Sequence, residues 1–178
     1  MAFAIAFAGK IGSGKTTMSA AVSRALGCKR ASFGDYVRHI VSNRGLQLTR
    51  ENLQRVGTEV LEADRFAFCK NVLEYSGWSQ GESLVIDGLR HSETIPLLNQ
   101  LISPTRMWIA FLEIDEQSRF ERLGIREEAH RAALRSADAH SSEKQVEMTL
   151  HRIADVIIDS RKPIEDCLAT LMEWMAKQ

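Results

Sequence analysis

At 178 residues, 44% hydrophobic and 26% charged, the chain has the make-up of a globular protein folded as one domain. Its 23 Lys+Arg offset 23 Asp+Glu, which argues against a protein that wraps nucleic acid, since that affinity comes from many cationic contacts to phosphate. The longest apolar runs, residues 2–8 and 107–112, fall short of the roughly 20 residues that span a bilayer.

The first nine residues are apolar with no cationic stretch ahead of them, so they read as a strand over 3–8 rather than a secretory leader. The strand runs straight into Gly9-Lys10-Ile11-Gly12-Ser13-Gly14-Lys15-Thr16, which satisfies G-x-x-x-x-G-K-[ST]. After it, Met18, Ala21, Val22, Ala25 and Leu26 form one apolar helical stripe that Gly27 ends. Further strands are predicted at 29–33, 83–87, 106–112 and 155–158. Helices are predicted at 35–44, at 49–76 with Thr49 as N-cap, at 92–102 behind Ser92, at 115–135, and at 141–152 behind Ser141 or Ser142. Beyond Pro163, the stripe Ile164, Cys167, Leu168, Leu171, Met172 and Met175 predicts a last helix. Cys28, Cys69 and Cys167 are odd in number and lack C-x-x-C spacing, which fits free thiols in a reducing compartment, with the cytoplasm as the expected location.

Strands alternating with helices need crossover connections, so the expected architecture is a five-stranded parallel sheet covered on both faces, an α/β domain of three layers. Ligands in such sheets sit beyond the carboxyl ends of the strands. The glycine-rich stretch lies there, between a strand and a helix, and its chemistry suits a nucleoside triphosphate. Gly9, Gly12 and Gly14 let backbone N–H groups turn toward phosphate oxygens, with Ser13 and Thr17 completing the lining. Lys15 is expected to span the β- and γ-phosphates of ATP and to act in catalysis, and the Thr16 hydroxyl to ligate Mg²⁺. Asp87, at the end of the apolar strand Leu84-Val85-Ile86, is the expected acidic partner of that metal, with Asp35 as the alternative.

Ser32-Phe33-Gly34-Asp35-Tyr36-Val37-Arg38 follows the second strand and Asp87-Gly88-Leu89-Arg90 the third. Singly, Arg38 reads as a solvated helix residue and Arg90 as a partner for Glu93. Together they bring two guanidiniums to one sheet edge, a clamp for a second anion, with Asp35 beside it. Farther on, Arg119, Arg122 and Arg126 share a helical face. They read either as a solvated, ion-paired helix or as cations that close over the transferring phosphoryl group. In the second reading Arg122 and Arg126 are the expected catalytic members.

These stretches together resemble the nucleoside monophosphate kinase group of P-loop kinases. Ser32 to Arg38 is similar to the G-D-x-x-R stretch of adenylate kinases. Val85 to Glu93 and Arg119 to Leu123 are similar to segments of small kinase-like proteins related to dephospho-CoA kinase. The resemblance implies a P-loop NTPase fold, an acceptor-binding helical region near 35–78, a small helical lid near 124–141, and an adenine site near Asp159 to Pro163. The lid departs from the pattern, carrying Ser136-Ala137-Asp138-Ala139-His140 where the relatives have an R-D pair. The implied function is transfer of the ATP γ-phosphoryl group to a nucleoside or deoxynucleoside monophosphate, so small-molecule nucleotides are the expected partners. Two alternatives stand beside it. One is transfer to a hydroxyl, as on dephospho-CoA, with Asp35 as base; the other is a nucleotide-binding switch without kinase activity.

Overall fold

A computed structural model describes residues 2–138 and 146–178, side chains at 137, 138, 146 and 147 excepted. Strand β1 (Ala4–Gly9) is buried along its whole length and forms the centre of a five-stranded parallel sheet. Around it lie β2 (Lys29–Ser32), β3 (Leu84–Asp87), β4 (Met107–Glu113) and β5 (Val156–Asp159), in the order β2-β3-β1-β4-β5. Every pairing is parallel. The register sets Phe7 beside Asp87 and Ser32 beside Asp87, so the carboxyl ends of β1, β2 and β3 finish at one level.

The alternation of β1 divides the core. Ala4, Ala6 and Ala8 face one layer, built from α2 (Phe33–Asn43), α3 (Arg50–Ala63), α4 (Arg65–Tyr75) and α5 (Ile95–Ile102). Ile5 and Phe7 face the other, where α1 (Lys15–Leu26) and α8 (Ile164–Met175) supply Met18, Val22, Cys167 and Leu171. Side chains alternate along the strand, so the small alanines and the larger Ile5 and Phe7 serve opposite faces. The three expected layers are present, and all three cysteines are free.

Two long helices expected from periodicity are each two helices. Asp64 breaks the first with an extended backbone (φ −160°, ψ 99°), and its carboxylate accepts a hydrogen bond from Ala67 N at 2.9 Å, capping α4. Helix periodicity runs through this break because the apolar stripe resumes on the far side. The 115–135 segment is α6 (Glu116–Arg122) and α7 (Glu128–Asp138), parted at Gly124, whose φ of +66° ends the first. Asp115, the first residue of that segment, caps α6 through Ser118 N. Ser92 opens a 3₁₀ turn, Ser92–Thr94, ahead of α5 rather than capping a helix. Of the helix expected at 141–152, the described part is a π-helical turn, Val146–Leu150, and an α-turn, His151–Ile153. Its caps, Ser141 and Ser142, lie outside the described residues, as do Ala139 and His140 at the end of the expected lid. No helix among the described residues is long and apolar enough to cross a membrane.

Candidate active site

Between β1 and α1 the chain turns through Gly9, Gly12 and Gly14, with φ of +146°, +79° and +89°. A Cβ on Gly9 would lie 2.7 Å from the Leu112 carbonyl oxygen, so only glycine lets the loop leave the sheet there. Ser13 N donates to Lys10 O at 3.1 Å and closes the turn. α1 then begins at Gly14 with no side-chain cap, leaving its first-turn N–H groups and dipole for an anion. The Ser13 hydroxyl is buried and has no hydrogen-bond partner among the described residues. A buried polar atom inside a turn of inward backbone is what a phosphate-binding cup presents to its anion. Lys15 arches back over the loop, its ammonium donating to Gly9 O at 2.6 Å and Lys10 O at 2.8 Å. Thr16 and Thr17 are exposed on the rim.

Helix α6 grips this loop from behind. Arg119 is almost wholly buried, 1% exposed, and its Nε donates to Ile11 O at 2.9 Å. One turn on, Arg122 donates from Nη1 to Ser13 O at 3.1 Å and from Nη2 to Ser160 O. Arg122 is therefore tied to the phosphate loop and to the loop after β5; the sequence alone read it either as part of a solvated, ion-paired helix or as a cation closing over the phosphoryl group. Arg126 is exposed, and its side chain makes no hydrogen bond or ion pair among the described residues. Arg135 ties α7 to α6 through Glu116 at 3.1 Å, and within α7 it pairs with Glu128 at 2.7 Å.

At the adjoining sheet edge Asp87 is buried, 4% exposed, and Asp35 sits in the first turn of α2. Ser32 caps that helix, accepting from Asp35 N at 3.2 Å. Arg30, which sequence reading passed over, joins both acids: Nη1 donates to Asp35 Oδ2 at 3.0 Å and Nη2 to Asp87 Oδ2. Arg38 reaches the other Asp35 oxygen at 3.4 Å. Asp87 Oδ1 accepts no hydrogen bond among the described residues. With the Thr16 hydroxyl it is an oxygen donor of the hard kind Mg²⁺ takes, and Mg²⁺ needs only one or two such ligands beside phosphate oxygens and water. The donor set therefore fits that ion.

Two cavities flank the loop. The larger, about 400 Å³, has Ile11 of the loop at one end and Phe33, Val37 and Phe68 as its apolar floor. Arg38, Arg50 and Arg90 reach it from α2, α3 and the turn after β3, so the expected pair of arginines does converge and a third joins it. Among the described residues no carboxylate lines this cavity. Burial presses the Arg90 guanidinium below its ordinary pKa; Arg50 adds like-charge repulsion and Asp87 opposes it. Arg50, Gln54, Gly57 and Thr58 fall on one face of α3, all toward the cavity, a relation visible only once α3 is known to lie beside α2. The smaller cavity, about 180 Å³, lies on the other side of Gly14, between Thr17, Met18, Ser160, Lys162 and Ile164. It adjoins the Asp159 to Pro163 loop, where the expected adenine site falls.

A family model described as an AAA domain matches residues 5–161, from the first strand through the loop after the last. The chain belongs to this AAA-domain family. Among its relatives is a UPF0200 protein of Aeropyrum pernix, 34% identical over 120 residues, 67% of this chain and 62% of that protein. Another, from Methanothrix thermoacetophila, is 38% identical over 87 residues, 48% of this chain and 46% of that protein. The AAA-domain chain thus spans less than two thirds of the length of these relatives. In three dimensions it resembles a shikimate kinase from Aquifex aeolicus at a TM-score of 0.60 and 16% identity, with 98% of this chain and 96% of that one covered. A gluconokinase from Sinorhizobium meliloti 1021 superposes at 0.63 and 18% identity, covering 98% and 92%. At such identities the likeness establishes a shared P-loop kinase fold and nothing finer.

Proposed function

We propose that this AAA-domain chain is an ATP-dependent phosphotransferase whose acceptor is a small phosphorylated molecule, a nucleoside or deoxynucleoside monophosphate first among them. The observation that carries this reading is the cavity beside the phosphate loop into which Arg38, Arg50 and Arg90 converge. Three guanidiniums over an apolar floor suit an acceptor with an anionic end and a flat, weakly polar body. A cavity of about 400 Å³ falls within the range of ligand pockets, about 300–1,000 Å³.

In this reading the Gly9–Thr16 loop and the open end of α1 hold the ATP phosphates, and Ser13 acquires the partner it lacks. Lys15 exchanges its two loop carbonyls for phosphate oxygens. Thr16 and Asp87 would hold Mg²⁺, which when bound neutralises charge on the phosphate chain. Arg119 and Arg122 keep the loop carbonyls turned away from the phosphates, so that N–H groups alone face them. Catalysis then consists of positioning and preorganised charge, as phosphoryl transfer demands. A monophosphate acceptor arrives with its attacking oxygen already ionised and needs no base.

A hydroxyl acceptor is the second reading, favoured by the fold shared with a shikimate kinase and a gluconokinase and by Asp35 in the first turn of α2, the helix that brings Arg38 to the cavity. Against it, both oxygens of Asp35 already face the guanidinium groups of Arg30 and Arg38, which compete with a hydroxyl for them. ATP consumption measured across nucleoside monophosphates, dephospho-CoA, shikimate and gluconate separates the two. Turnover with a monophosphate is expected; turnover only with a hydroxyl substrate would reverse the order. Tight ATP binding with no acceptor used would point to a switch.

A further inference from the structure

We infer that Arg30 is a positioning residue of the metal–nucleotide site, a guanidinium on β2 that fixes the Asp87 and Asp35 carboxylates in one arrangement; this rests on the phosphotransfer reading above. All three of its nitrogens are engaged. Nε donates to Ser19 Oγ at 2.9 Å, Nη1 to Asp35 Oδ2 at 3.0 Å and Nη2 to Asp87 Oδ2. The acceptors belong to α1, α2 and the end of β3, so one side chain joins three elements. Ser19 Oγ passes its own hydrogen to Thr16 O at 3.0 Å, so the link continues to the turn that carries the Thr16 hydroxyl.

The arrangement has a physical necessity. Asp87 is 4% exposed, and Asp35 shares a cation with it. Two carboxylates so placed repel, and a buried one without a partner is strongly disfavoured as an ion. Arg30 neutralises both and, being a planar fork with fixed N–H directions, sets their orientation as well. It takes only Oδ2 of Asp87, which leaves Oδ1 as the oxygen without a hydrogen bond among the described residues. The side chain of Arg30 is 20% exposed, so it is not held as a surface ion pair. A lysine would supply the charge but could not hold three acceptors in those directions. Arg30 thus acts on the metal ligand and the acceptor-side acid through hydrogen bonds, without touching either substrate.

The test is a double-mutant cycle on the full chain, read by electron paramagnetic resonance of free Mn²⁺ in the presence of a non-hydrolysable ATP analogue. Wild type, Arg30→Met, Asp87→Asn and the double variant are compared. Each single change is expected to weaken Mn²⁺ uptake by about ten-fold or more, the usual effect of removing a group that orients a metal ligand. The double variant is expected to be no weaker than Asp87→Asn, because Arg30 acts through that carboxylate. Unchanged uptake by Arg30→Met, or losses that add, would overturn the inference. If Arg30→Met does not fold, Arg30→Lys takes its place in the cycle, and wild-type uptake by it would overturn the inference equally. Failure of the wild type to take up Mn²⁺ with the analogue would overturn the phosphotransfer reading too, whereas wild-type uptake with an additive cycle removes only the role of Arg30.

Discussion

Lys15 donates two short hydrogen bonds to the loop it belongs to, so it helps shape the cup as well as waiting for phosphate. Lys15→Ala is expected to weaken ATP binding by one to two orders of magnitude, from roughly 1.5–3 kcal/mol for a charge-assisted hydrogen bond; isothermal calorimetry checks it. Arg50 lines the opposite cavity and not the loop. Arg50→Ala should raise the acceptor KM by a similar factor of about 10 to 100 and leave the KM for ATP unchanged; equal effects on both substrates would place Arg50 in the scaffold instead. The two residues differ in how far the chain alone discloses them. Lys15 lies in a local pattern whose spacing is itself the geometry. Arg38 and Arg90 were legible because each follows a strand end. Arg50 opens a helix with no strand before it and faces the cavity only through packing of α3 on α2, and Arg30 sits within a strand, where a charge usually points to water. Arg119 and Arg122 were legible as a helical pair, but which carbonyls they grip depends on where α6 lies.

At the level of elements, local breaks were the least legible feature. Asp64 ends α3 and starts α4 with no Gly or Pro to mark it. Its one signal is chemical, a short carboxylate able to accept from the N–H three residues on. Asp64→Ala is expected to lower stability by about 1 kcal/mol through loss of that cap, seen as a lower denaturant midpoint with an unchanged m-value; a continuous α3–α4 helix in the variant, with no loss of stability, would refute the capping role. Asn at the same position should restore most of the loss. The break matters beyond stability, since it turns Phe68, Cys69, Val72 and Leu73 of α4 toward the sheet while α3 keeps Arg50 and Gln54 at the cavity. The strands were far easier to foresee. Each is a short apolar run bounded by turn residues, and parallel pairing follows from the helices between them.

Across the molecule, the two cavities lie on either side of one loop, and the core beneath the larger one reports on the whole. Cys69 is fully buried in α4 against that core, and burial pushes its thiol up to about 11. At pH 8 the folded chain therefore holds it as the unreactive thiol, and a disulfide reagent reaches it only when the structure opens. If that opening is global, a ligand that binds only the folded state suppresses it by the factor 1 + [L]/Kd. A non-hydrolysable ATP analogue at 100 times its Kd should then slow Cys69 labelling about 100-fold, equivalent to about 2.7 kcal/mol. A bisubstrate analogue filling both cavities should slow it no further at the same multiple of its own Kd, because the factor depends on saturation and not on contacts. Labelling that ignores the nucleotide would mean that α4 opens by itself, detached from the phosphate loop. Single-cysteine chains, with Cys28 and Cys167 replaced by Ser and Ala, make the measurement unambiguous, since Cys28 is half-exposed and Cys167 lines the smaller cavity.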